Sequence, residues 1–438
     1  MDRYYYFGLS WSFSLQYINV YPKCFKNKRF PYKNSGDEMK EKTVYLWLCL
    51  VLFLAYFFGA YLLEVIGIKY VSEGGFVLFK IHMYSYILMA IFINNLSKFG
   101  VSGFLYKLGY IKIYWLSAMG ATIIVMCYGL YRFGTSGMAY MIDTIFTPLI
   151  LVSLVISLGE SYKESLMRII AYLIFINSLL AISEFVLSKS VIPVEFSSFS
   201  FFRSTAFMAH PLNNALITAT LAYTLSDKTR IPPIIYVSTA LLALFCFGGR
   251  GSMGAFMMGL FVVSLPALYQ FLTVGVRTTK IKLATTQLVV FICIILVVYI
   301  VMYTGISERI LSKLYVDNSA QARFDVFILL DSLSMSEWFF GASRQFLDNI
   351  FYISGVLVVE NFFIDWILKF GLPLSLLLIY CLLAILMHLT QSRMPLMVMI
   401  GVFILASVTN NSLSVKTPAI LFLMLVLSAN YQMYRYEK

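Results

Sequence analysis

The feature that most constrains this chain is a succession of apolar runs, each close to the roughly 20 residues a helix needs to cross a bilayer. They lie at 43–63, 75–95, 112–131, 138–158, 166–187, 207–226, 232–248, 252–273, 283–304, 361–386, 395–410 and 418–434. A lipid-exposed segment must satisfy its own backbone N–H and C=O groups, so such runs are expected as helices. Composition agrees. Of the 438 residues, 60% are apolar and 12% are charged, against about a quarter charged in an ordinary soluble domain. The expected fold is all-α, a polytopic transmembrane helix bundle of about 12 spans. Residues 1–42, aromatic and then basic, read as a cytoplasmic or interfacial N-terminal segment with no cleavable signal peptide evident. Residues 43–438 read as a single transmembrane domain. The pair of runs flanking Arg250 is short, and 395–410 is short as well.

Charge gives an orientation. With the N-terminus inside, the inner segments are 1–42, 96–111, 159–165, 227–231, 274–282, 387–394 and the tail. Together with Lys112 and Arg168 they hold roughly 21 of the 33 Lys and Arg, which favours N-in, C-in by the positive-inside rule. The net charge of +12 is explained by these loops, so nucleic acid is not indicated. The six cysteines (Cys24, Cys49, Cys127, Cys246, Cys293, Cys381) mostly sit in apolar runs without metal-ligand spacing and read as small buried hydrophobes.

Two outer connections are long, 188–206 and about 305–360. The second lies between spans nine and ten. It is too apolar for disorder and carries a helix-like stretch, Ala322 to Leu333, so a small helical periplasmic cap is expected. There is no internal repeat. The 96–112 loop lacks the charged cluster of major-facilitator transporters.

Ionisable groups at membrane depth cost about 2.5–3.5 kcal/mol each and so need a reason. Arg203 and His210 are seven apart, two turns on one helix face if that segment is helical, with Pro211 bending or starting the helix. Arg203 snorkelling to headgroups and His210 hydrogen-bonding in the core is the plain alternative. Gly248-Gly249-Arg250-Gly251-Ser252 separates two spans. Its glycines permit close approach, Ser252 can cap the next helix, and a helix N-terminus beside a guanidinium suits phosphate. A tight interfacial turn is the alternative. In the long loop, Arg323 heads the helix-like stretch and Arg344 follows Gly341 in a turn. Glu360 opens an apolar helix, followed by Asn361. A half-buried carboxylate there can serve as a general base, or simply favour the helix dipole. Asp365 and Lys369, four apart, are expected to pair. His82 reads as structural and His388 as lying at a cytoplasmic end. No metal or nucleotide motif is present.

Three pieces of this pattern resemble the O-antigen polymerase and O-antigen ligase superfamily, most closely a Wzy-type polysaccharide polymerase. They are Arg250-Gly251-Ser252 before an apolar helix, the outer loop with its Arg323-led helix and Phe339-Phe340-Gly341 turn, and Glu360-Asn361-Phe362-Phe363 followed by Phe370-Gly371-Leu372-Pro373. The similarity covers roughly residues 200–375. It implies a glycosyltransferase without metal or other cofactor, in the bacterial inner membrane with its active face periplasmic. The substrates would be undecaprenyl-pyrophosphate-linked oligosaccharides, and a chain-length regulator and a flippase are implied as partners beside membrane lipid. On this reading Arg250, Arg203, Arg323 and Arg344, with Ser252 and Asn361, bind pyrophosphate and glycan. Glu360 is the catalytic base, with His210 in reserve. Family ligases often carry His-Asn where this chain has Glu360-Asn361, which favours polymerase over ligase. A lipid-linked oligosaccharide flippase or other transporter, and a structural membrane protein, are the competing expectations.

Overall fold

The computed structural model describes residues 35–72, 74–135, 137–192, 202–208, 210–275, 291, 326–355, 359–409 and 411–432. Among these every regular element is helical. The main helices are α1 (Ser35–Phe57), α2 (Ala60–Val65), α3 (Met83–Leu108), α4 (Lys112–Phe133), α5 (Ala139–Ile156), α6 (Glu160–Leu187), α7 (Pro211–Leu225), α8 (Pro233–Phe247) and α9 (Arg250–Val274). Three short helices follow, α10 (Met335–Phe340), α11 (Arg344–Asp348) and α12 (Ile350–Ser354). The chain closes with α13 (Phe362–Phe370), α14 (Leu372–Thr390), α15 (Met394–Val408) and α16 (Ala419–Asn430). Five helical stretches are long and apolar enough to cross a membrane: Met83–Phe133, α5, α6, α9 and α14. Three shorter apolar helices, α8, α15 and α16, pack among them. Of the expected N-terminal segment 1–42, residues 1–34 lie outside the described residues, and of the expected span 283–304 residue 291 alone is described.

Burial explains the helix compositions. Every residue of α16 from Ala419 to Ala429 is buried, and so is every residue of α5 from Thr147 to Ile156. A helix apolar on all sides belongs in the middle of a bundle. These two contact each other and form the central post. The outer helices are also apolar all round, yet they expose large side chains, such as Ile123 and Ile124 on α4 and Met258 and Phe261 on α9. Such faces suit lipid rather than water.

Contacts between connections sort them into two ends. At one end, Tyr45 hydroxyl meets Ser165, Lys163 donates to the Tyr431 carbonyl, the Arg230 amide donates to Tyr172 hydroxyl, and His388 stacks on Tyr114. At the other, Lys416 donates to the carbonyls of Tyr70 and Lys80, Ser412 donates to Asn213, and Gly59 packs on the Met208 backbone. The expected Asp365–Lys369 pair forms, at 2.7 Å.

Several expected boundaries move. The 43–63 span stops at Phe57 and a separate helix starts after Gly59. The 75–95 span starts only at Met83, because His82 caps α3 by accepting from the Tyr84 amide. Residues 96–111 are not a loop. Helix continues, and Gly100 (φ 64°) turns it so that Phe92 and Phe104 both pack on Trp115. The 361–386 span breaks at Gly371 (φ 80°), whose missing Cβ makes room for the Phe339 backbone. Of the stretch Ala322–Leu333, residues 326–331 are helical, and 321–325 lie outside the described residues.

Of the expected cap at 305–360, the described stretch 326–355 is mostly helical and docks through backbone groups. The Ala342 amide donates to the Leu368 carbonyl at 2.7 Å. Arg132, at the end of α4, donates to the carbonyls of Phe340 (2.7 Å), Lys369 (2.6 Å) and Ala342. A guanidinium fork suits several convergent carbonyls, and each charged bond of this kind contributes about 1.5–3 kcal/mol. Glu337 closes the cap from within, accepting amide bonds from Ser343 and Ser334. Those amide bonds, Ser343 first, hold its carboxyl below the ordinary value of 4.5.

Arg132→Met should lower stability by about 1–3 kcal/mol and expose the 335–354 segment to protease first. Because the Glu337 carboxyl is depressed, its stabilisation is complete above 4.5 and is lost as pH falls through the lower folded value. Limited proteolysis of the cap should therefore speed up as pH falls below 4.5 in the wild type, and Glu337→Gln should flatten that dependence.

Candidate functional site

The segment before α7 is not a helix. Residues 202–205 have no regular structure, 206–208 form a turn, and Ala206 takes the left-handed conformation (φ 44°). Arg203 and His210 therefore do not share a helix face. They lie at the two ends of a compact loop fastened to α6 and α7. Ser204 amide donates to the Cys246 carbonyl at 3.1 Å, which ties the loop to the end of α8. Pro211 starts α7, where a missing N–H costs nothing, and His210 is its N-cap. The His210 Nδ1 accepts from the Asn213 amide at 3.3 Å, and its ring stacks on Tyr61, centroids 5.6 Å apart.

The glycine turn meets this loop. Gly248 ends α8 with φ 70°, a conformation that costs other residues about 1–2 kcal/mol. A Cβ built there would stand 3.1 Å from Arg203 Nε and 3.2 Å from its Cδ. Arg203 thus lies directly across the turn that leads into Arg250. Gly249 is the N-cap of α9 and no side chain caps it. Ser252 does not cap the helix as expected. It is buried in the first turn, 3.7 Å from where a Gly249 Cβ would stand. Gly251 packs tightly on Thr409, which brings in the end of α15. These contacts gather Arg203, His210, the start of α9, Thr409 and Ser412 at one end of the bundle.

Glu360 does not open α13. It precedes Asn361, which is the N-cap and accepts from the amides of Phe363 (3.0 Å) and Ile364 (3.3 Å). The Asn361 side-chain oxygen is thus committed to the helix. Glu360 is half-buried beside it, at the end of the bundle where the cap docks. Arg344 is the first residue of α11 and is exposed on the cap. Arg323 lies outside the described residues. Among the described residues no group of His, Cys, Asp and Glu could hold a metal ion.

Two buried carboxylates were not singled out in the sequence. Glu184, 1% exposed near the end of α6, accepts the amides of Val191, Thr205 and Ala206. Asp143 is fully buried in a π turn at Ile142–Phe146 of α5. It accepts from Tyr70 hydroxyl (2.7 Å), Ser85 hydroxyl (2.6 Å) and the His82 amide (3.1 Å). Beside the second network, Lys416 lies over the Tyr70 ring and ties the backbone of Tyr70 and Lys80 to the segment before α16. His82 is structural, as expected, its Nε2 lying 2.6 Å from the Phe58 carbonyl oxygen. A lone acid inside an apolar run was the available signal for both.

Gly248→Ala should cost about 1–2 kcal/mol from its left-handed backbone alone, and more if Arg203 cannot shift. Gly254→Ala, in a helix with nothing within 4 Å of its Cβ, should be neutral or stabilising. Thermal melts of both variants in one detergent check the contrast. No protein-family model matches the chain, and no curated protein or solved structure matches it.

Proposed function

We propose that this chain is a membrane glycosyltransferase that polymerises undecaprenyl-pyrophosphate-linked repeat units on the periplasmic face of a bacterial inner membrane. The observation that carries the reading is the packing of Arg203 across Gly248, next to Arg250 at the start of α9. Two guanidinium groups and the positive end of a 25-residue helix make a strong diphosphate site. The rest of the expected bundle, about twelve spans with both termini inside, belongs to the same proposal. Its support is that Lys112, Lys163, Arg168, Lys228, Arg230 and Arg393 lie at or near the end opposite this cluster.

The chemistry follows from the substrate. Nucleotide sugars are cytoplasmic, so a donor used outside must carry its own leaving group. Glu360 takes the proton of the acceptor hydroxyl, whose oxygen attacks the anomeric carbon of the donor from the far side. The bond from that carbon to the pyrophosphate oxygen breaks, and the electron pair leaves with undecaprenyl pyrophosphate. The developing negative charge is met by Arg203 and Arg250, with Arg323 assisting, in the role a metal plays in other transferases. Inversion at the anomeric carbon results. His210 is the weaker base, because its Nδ1 lone pair already accepts from Asn213.

Purified protein given lipid-linked repeat units should build a glycan ladder without lipid A. Transfer only in the presence of lipid A core would make the chain a ligase, and transport without bond formation would make it a flippase. Arg250→Ala should abolish extension in a protein that still inserts. Glu360→Gln should slow it by about 10²–10⁴-fold. Full activity of Glu360→Gln would transfer the base role elsewhere.

A further inference from the structure

We infer that Glu184 is the positioning residue of this site: its carboxylate holds the 203–207 loop in the one shape that sets Arg203 against Gly248 and His210 at the start of α7. The inference rests on the functional reading above for its importance, but not for its geometry.

Glu184 is buried inside an apolar helix and approached by three backbone donors. Oε2 accepts the amides of Thr205 (2.8 Å) and Ala206 (2.9 Å), and Oε1 accepts that of Val191 (2.7 Å). A buried carboxylate is tolerated only when its oxygens are satisfied, and consecutive amides satisfy it as they would an anion. One turn earlier on α6, the Ala181 carbonyl accepts from Ser204 hydroxyl at 2.6 Å. The loop's far half is held by two buried amides. Asn177 accepts from the Phe207 amide and donates to Asn214, which donates in turn to the carbonyls of Thr205 and His210.

Between these anchors Ala206 sits at φ 44°. Such a backbone is strained for a residue with a Cβ and persists only where its surroundings enforce it. Glu184 bonds to the amide of Ala206 itself, so it acts on the strained residue directly. Arg203 is two residues before the first bonded amide and His210 four after the second. A shift of the turn therefore moves both groups.

The carboxylate cannot be replaced by its neutral isostere. Gln offers one acceptor oxygen, and its amino group would face a backbone N–H. In Glu184→Gln, hydrogen exchange at the amides of 204–207 should quicken by at least about tenfold, the loss of one charge-assisted bond. Exchange in buried α16 should not change. In the ladder assay kcat should fall about tenfold or more with KM nearly constant, because the pyrophosphate groups are displaced and not deleted. Glu184→Asp, which keeps the charge and withdraws it by one methylene, should fall between. It also serves if the glutamine variant does not fold. If wild-type protein builds no ladder, the functional reading fails while the exchange result still decides the role of Glu184. Unchanged exchange at 204–207 in both variants overturns the inference, as does quickened exchange spread evenly through α16.

Discussion

Two distant parts of the chain meet at Gly248. Its backbone turns left-handed at the end of α8, and the stem of Arg203 packs so closely that a Cβ there would stand 3.1 Å from its Nε. With that contact, a guanidinium from the 203–210 loop stands beside the start of α9, where Gly249 leaves the helix without a side-chain cap. Long cationic side chains ordinarily carry large rotamer freedom. Laying one across a rigid turn removes much of that cost before any ligand arrives. The diphosphate site proposed for this cluster depends on such preorganisation, since arginine pairs compensate for charge only when they are held in place.

A second pattern runs through the same end of the bundle. Irregular backbone near apolar helices must find partners for its N–H and C=O groups, and water is scarce there. Three described connections find them in side chains that are buried or half-buried. Glu184, Asn177 and Asn214 serve the 203–210 loop, and Asp143 and Lys416 serve residues 70–82. Arg132 serves the cap. These six residues look functional by the usual rule for charges and amides at membrane depth. Their hydrogen bonds to backbone make them scaffolding, and the chemistry proposed here is assigned instead to Arg203, Arg250 and Glu360.

The all-helical fold was legible because apolar runs of spanning length admit few other structures. The helix at Pro211, the structural role of His82 and the Asp365–Lys369 pair were likewise readable from local chemistry. Other features were not. The start of α3 at Met83 depends on capping by His82, which a hydropathy window does not register. The break at Gly371 and the bend at Gly100 are backbone events, and glycine in a membrane helix has several uses. Spacing of seven between Arg203 and His210 suggested a helix face, but the polar side chains on α6 and α7 outcompete helix formation there. Ser252 looked like a cap and is a packed first-turn residue, because the helix begins two positions earlier. Glu184 and Asp143 were visible as lone acids in apolar runs. Glu184 is bound by backbone amides and Asp143 by two hydroxyls and the His82 amide, all from other segments, and a sequence does not display such pairings.

The most direct measurement is the position of an undecaprenyl pyrophosphate analogue bound to the full-length protein in a lipid nanodisc, determined by electron cryomicroscopy. The account predicts diphosphate density between Arg203 and Arg250 at the start of α9, with the prenyl tail leaving sideways into lipid and Glu360 facing the attached sugar. Density at the bundle midplane, inside a cavity open to both sides and away from these arginines, would contradict it.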